Sequence, residues 1–195
     1  MLITFRSRTL GKAQLEGGTM TRVIDARGAA SGAARGVVFI HSCPRAVTPH
    51  LAWALAKVFG SEVDPDWRPQ PIDPEALRCE LIWSGRAGTG AVIASALAPF
   101  HAIRMEVTED PSPGRDGERY SSTPTLGLHR ATIGMHGDVM LTEDRLKAAL
   151  TKSVLGAADL GNEILKLLGK PWDEELEPFR GAHEDSTVRV LHHVV

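Results

Sequence analysis

Between residues 35 and 110 the chain reads strand, helix, strand, strand, helix, strand, and this order constrains the fold more than any other feature. The first strand, expected over 36–42, is apolar on both faces: Val37 and Phe39 point one way, Val38 and Ile40 the other. A strand buried on both sides belongs in the middle of a sheet. Thr48 can cap a first helix over 49–59, with Pro49 at the first helical position, where its missing N–H costs nothing. Leu51, Leu55, Val58 and Phe59 then share one face at i, i+4, i+7, i+8 spacing, and Gly60 supplies a left-handed stop.

Residues 63–71 carry three prolines, which cannot donate to a ladder, so this second strand is expected at an edge. The third strand, over 77–84, turns Cys79, Leu81 and Trp83 one way and Arg78, Glu80 and Ser84 the other, with Ile82 the exception. A second helix over 90–98 packs Val92, Ile93, Ala96 and Leu97, with Thr89 able to cap it. In a fourth strand over 102–109, Ile103, Met105 and Val107 alternate with Arg104, Glu106 and Thr108. This order predicts an α+β protein with a ferredoxin-like split βαβ core, βαββαβ around an antiparallel sheet.

The remaining chain is expected as an extension, 111–195, completing a single domain over 35–195. A turn-rich loop over 110–117 leads to short strands over 118–123 and 126–133. Thr142 heads a helix with the stripe Leu146, Ala149, Leu150 and Val154, and Glu143 and Asp144 suit its dipole. A second stripe is Leu160, Ile164, Leu167 and Leu168. Residues 172–180 form a short acidic turn or helix, and 187–195 a closing strand with Val188, Val190 and Leu191 buried. Helices of the core cover only one face of its sheet. The extension is expected to cover the other face or lengthen the sheet, and a homodimer interface would do the same. Residues 1–34 read as a disordered leader and linker; 1–19 lack the apolar region of a signal peptide, and Met20 offers an alternative start.

Composition narrows the partners. Net charge is −2, so no global field draws the chain to nucleic acid or anionic lipid. Aromatics are 5% of residues, too few for a base-stacking surface. No apolar run approaches the roughly 20 residues that span a bilayer. Two cysteines, Cys43 and Cys79, make neither a disulfide framework nor a four-thiolate zinc site, and a cytoplasmic setting is the default. No metal site and no cofactor is expected.

Five stretches are candidates for chemistry. His41-Ser-Cys-Pro44 ends the central strand ahead of a helix, where Cys43 can act as a nucleophile with His41 or His50 as base; the plainer reading is a strand-to-helix turn with a half-buried thiol. Arg115-Asp-Gly-Glu-Arg-Tyr120 is the densest polar cluster. Arg115, Arg119 and Tyr120, with Thr123, Thr125 and His129, can line a pocket for a small anionic ligand, because a guanidinium fork matches a carboxylate or phosphate; the plainer reading is an exposed hairpin with surface ion pairs. Gly85-Arg-Ala-Gly-Thr-Gly90 precedes a helix and can cradle an anion on backbone N–H groups, though it lacks a P-loop lysine. His136-Gly-Asp138 offers two metal ligands without a supporting motif, and His192-His193 lies in the closing strand.

Several of these segments together resemble an actinobacterial family of domains of unknown function. They are Gly36-Val-Val-Phe-Ile-His-Ser42, Pro49-His-Leu-Ala-Trp-Ala-Leu-Ala56, Asp66-Trp-Arg-Pro-Gln-Pro71 and the run from Val107 to Tyr120. His136-Gly-Asp-Val-Met140, the run from Gly169 to Arg180 and Val190-Leu-His-His-Val-Val195 complete the set. The resemblance implies no enzyme; it implies an accessory role linked to fatty-acid or acyl metabolism. The expected function is therefore a non-catalytic accessory factor that binds a small ligand or a protein. The alternatives are a small hydrolase or transferase using Cys43 with His41, and a structural homodimer.

Overall fold

The computed structural model describes residues 23–25 and 33–180. Among them are eight strands: β1 (Val23–Asp25), β2 (Ala33–Pro44), β3 (Arg68–Gln70), β4 (Asp73–Arg86), β5 (Arg104–Glu109), β6 (Gly117–Thr123), β7 (Gly127–Ile133) and β8 (Val139–Met140). Five α-helices accompany them: α1 (Thr48–Phe59), α2 (Thr89–Leu97), α3 (Glu143–Val154), α4 (Leu160–Leu167) and α5 (Lys170–Arg180). One mixed α/β sheet runs β1-β4-β2-β5-β6-β7-β8, with β3 also on β4. All pairings are antiparallel except β1 with β4. Of the expected leader, Val23–Asp25 form a strand and Ala33 opens β2; residues 1–22 and 26–32 lie outside the described residues. So do the closing strand over 187–195 and His192-His193.

β2 is central for the reason its sequence suggests. Val38 and Ile40 are fully buried in a core with Leu51, Leu55 and Phe59 of α1, Ile93 and Leu97 of α2, Leu81 and Trp83 of β4, and Met105 and Val107 of β5. Each fully buried Leu, Ile or Phe there contributes about 1.5–3 kcal/mol relative to exposure. Gly36 lets β2 approach β5 closely: a Cβ on it would lie 1.8 Å from the Thr108 carbonyl oxygen. Asp110 N–H donates to the Arg35 carbonyl beside it.

Several local expectations are corrected. Thr48 is the first residue of α1, not its cap; its hydroxyl donates back to the Arg45 carbonyl at 2.9 Å. Thr89 likewise lies inside α2, behind Gly88 at φ 90°. The proline-rich 63–71 stretch is a strand only at Arg68–Gln70, on the edge. The sequence leaves open whether Gly156 and Gly161 break the two stripes into separate helices; α3 and α4 are separate, with Gly156 at φ 69° between them. The α3 stripe does not face a core. Only Ala149 of it is buried, while Leu146, Leu150 and Val154 are exposed.

Of the two forms expected for residues 172–180, turn or helix, the helix is the one found. These residues belong to a full helix, α5, which lies across the sheet face opposite α1 and α2. Its Trp172, Asp173 and Leu176 are buried against that face.

Candidate functional site

The densest set of ionisable side chains sits between β5, β6 and α5. Strand alternation sends Met105 and Val107 into the core beneath α1 and α2, so Glu106 projects from the other face, with a side chain only 9% exposed. Arg180 forks it: Nε donates to Oε2 at 2.8 Å and Nη2 to Oε1 at 2.7 Å. Arg119 Nε donates to Oε1 at 3.0 Å. An ionised carboxylate only accepts, so His41 donates from Nε2 to Oε2 at 2.8 Å. Asp173, one turn into α5, accepts from Arg180 Nη2 at 2.8 Å and from Arg119 Nη2.

Two carboxylates therefore face two guanidiniums, and their formal charges cancel. Burial alone would raise the Glu106 carboxyl. The His41 and Arg180 hydrogen bonds and the charges of Arg119 and Arg180 outweigh it and hold Glu106 well below the ordinary glutamate range. The rest of α5 is clamped by mixed contacts. Trp172 Nε1 donates to the Gly127 carbonyl at 2.8 Å, and the His129 ring packs on the indole at 4.5 Å. The Arg104 guanidinium lies 4.4 Å over the Phe179 ring and pairs with Glu175. Burial lowers His129 below its ordinary value, against the pull of a hydrogen bond to the Leu167 backbone.

A second anion site is filled from within. Gly88 N–H and Gly90 N–H at the start of α2 donate to the two Glu109 oxygens at 2.8 and 2.9 Å. The loop expected to cradle an anion thus holds the protein's own carboxylate, and the Arg115 Nε stands 3.8 Å away. A Cβ on Gly90 would lie 3.1 Å from Glu109, so glycine keeps the approach open.

The residues proposed for an anionic ligand do not converge. Arg119 and His129 share the face under α5, and both are engaged there. Tyr120 points to the opposite face, buried in the core, and its hydroxyl donates to Glu118, which also accepts from Arg130. Burial and then Glu118 push the Tyr120 hydroxyl up. Arg115 sits on the loop beside α2. Thr123 is buried and accepts from Leu126 N–H, and Thr125 donates to Glu175.

The cysteine arrangement does not assemble either. Strict alternation would put His41 and Cys43 on one face. The register of β2 shifts against both neighbours between Ile40 and Cys43, a bulge that turns Cys43 back into the apolar core. Its thiol donates to the Pro44 carbonyl at 3.3 Å, and burial pushes it up to about 12. His41 is spent on Glu106, and His50 is exposed on α1, edge-on to Trp53. His136 and Asp138 lie in the turn before β8. No group of three or more metal-ligating side chains occurs among the described residues.

Residue reading from sequence missed Glu106, Asp173 and Arg180 because they meet only in space: Glu106 lies 65 residues from His41 and 74 from Arg180. One signal was present. Glu106 is a carboxylate in the polar register of a strand whose other register sends Met105 and Val107 into the core.

The chain matches, over residues 37–193, the family model described as a protein of unknown function, DUF3145, and it belongs to that family. No curated protein matches it, and no solved structure does.

Proposed function

We propose that this DUF3145 protein is a non-catalytic accessory factor that works by binding another protein. One contrast carries the reading: its reactive and charged groups are spent inward while large apolar ones face out. Glu106, Asp173, Arg119, Arg180 and Glu109 are paired within the chain, and Cys43 is a fully buried thiol. Val154 is 85% exposed, Leu155 76%, Met135 68% and Trp53 64%. Apolar side chains exposed in a group, as the consecutive Val154 and Leu155 are, mark contact sites for other macromolecules, and an exposed Trp is a common interface anchor. The depression of about 410 Å³ between α4 and α5 is lined by Glu163, Glu174, Lys166 and Lys170, whose charges cancel, and offers no net attraction to an ion.

The same proposal extends to the architecture. The order β5-β2-β4-β3, with α1 and α2 on one face, supports reading the core as a ferredoxin-like unit. Family resemblance, and no feature of the site, is what ties the accessory role to acyl metabolism. The rival hydrolase reading needs a reactive thiolate, and the burial of Cys43 argues against one.

Affinity purification of the full chain from its native cells tests the reading. The expected result is a protein co-eluting in near one-to-one amount, retained by a Cys43→Ala copy. Elution of the chain alone, together with fast alkylation of Cys43 at neutral pH, would favour the enzyme instead.

A further inference from the structure

The layer made by α1 and α2 has an outer surface free of acidic residues along both helices. Neither residues 45–60 nor residues 86–103 contain a single Asp or Glu. Along α1 the exposed positions are Pro49, His50, Trp53 and Lys57, one stripe at helical spacing, with Arg45 just ahead of it. The stripe runs about 12 Å at ~1.5 Å per residue. Beside it α2 exposes Val92, at 54%, and Ser95. Ion pairs occupy most described arginines and lysines, from Arg35 with Asp110 to Arg180 with Glu106. Neither Arg45 nor Lys57 is in one among the described residues.

We propose that this face of α1 and α2 docks an acidic protein surface, with Trp53 as the anchor and Arg45 and Lys57 as the cations that select the charge of the partner. The inference rests on the reading that the chain binds a protein, and it names where and what kind. Three observations converge on it. An exposed indole is the side chain most often found at the energetic centre of an interface, and the His50 ring, 5.3 Å away and edge-on, props it from one side. Arg45 and Lys57, neither of them in an ion pair among the described residues, flank it on segments that carry no acid, so an acidic partner is attracted and a basic one repelled; Arg45 also donates to the Pro74 carbonyl at 3.5 Å. Two cations are too few for a membrane, where clusters of four to eight are the rule, or for the phosphates of nucleic acid.

The test is photo-crosslinking in the native cells, with a photoreactive amino acid placed in the full chain at position 92 on α2, beside the intact Trp53, or, as a second copy, at position 154 on α3. The captured peptide is sequenced in each case. Capture at 92 of one protein through an acid-rich segment, lost at least tenfold in an Arg45→Glu, Lys57→Glu chain of unchanged melting temperature, is the expected result. Capture at 92 of lipid, of nucleic acid or of a segment without acidic residues would overturn the proposal. So would capture that survives the charge reversal. Capture at 154 alone would overturn it too, while leaving the protein-binding reading intact. Capture at neither position would defeat both.

Discussion

The two faces of the sheet are sealed by different physics. On one, α1 and α2 press Leu51, Leu55, Phe59, Ile93 and Leu97 onto Val38, Ile40, Trp83, Met105 and Val107, with the Glu109 carboxylate tucked under the start of α2 at its margin. On the other, α5 is held by Leu176 and by a neutral square of Glu106, Asp173, Arg119 and Arg180, with His41 at its corner. Apolar burial is indifferent to pH and non-directional. A buried ion-paired group fixes one geometry and fails abruptly when a partner is lost. The first face is therefore the folding core, and the second is a latch that sets where α5 lies.

Removing Glu106 should have the largest effect. Glu106→Ala leaves Arg119 and Arg180 without their shared acceptor and should cost about 3–5 kcal/mol in denaturant unfolding. A loss under 1 kcal/mol would mean that the cluster is solvated and the latch is not real. Leu55→Ala, the matching cut on the other face, should cost about 2–5 kcal/mol through lost burial and the cavity left behind. Its cost should be the same at pH 7 and pH 4, unlike that of any change at Glu106.

Acid should sharpen the distinction. Glu106 has a folded pKa depressed below its ordinary value of 4.5. Its stabilisation is complete above that value and is lost as pH falls from there toward the folded pKa, with a slope of about 1.4 kcal/mol per pH unit for one group. Glu106→Gln should therefore show a flatter acid limb in a plot of melting temperature against pH, meeting the unaltered chain at low pH. Parallel curves would contradict the assignment. His129 adds a smaller loss of the same sign, because its folded pKa is depressed too, so stability falls as pH drops through about 6.5. Trp53→Ala should do least, within about 0.5 kcal/mol, since the indole packs on little besides His50. A larger loss would mean that it supports the fold.

Legibility followed range. α1, α2, the strands of the core and the β6–β7 hairpin were readable because their signals are local: period-two alternation in β5, Leu51-Leu55-Phe59 on α1, and Gly60 in the left-handed conformation. The bulge at Ile40–Cys43 was not, since alternation gives no warning of an extra residue. Helix capping was misread for a related reason. Thr89 is the expected type of cap, but Glu109, contributed by another strand, fills the role. The stripe of α3 has the period of a core helix, yet periodicity shows only that a face is apolar, not what covers it. Arg119 was singled out as a ligand fork. Its fork is real, but the carboxylates it meets belong to the chain itself, one of them 54 residues away.

Hydrogen exchange on the unaltered chain and on Glu106→Leu compares the two faces most directly. If the cluster is a latch and the helix layer the core, protection of the α5 amides should fall by a factor of ten or more in the variant. Amides of β2, β4 and α1 should lose far less. Equal loss of protection in α5 and in the core would contradict the account, and so would an α5 that remains as protected as before.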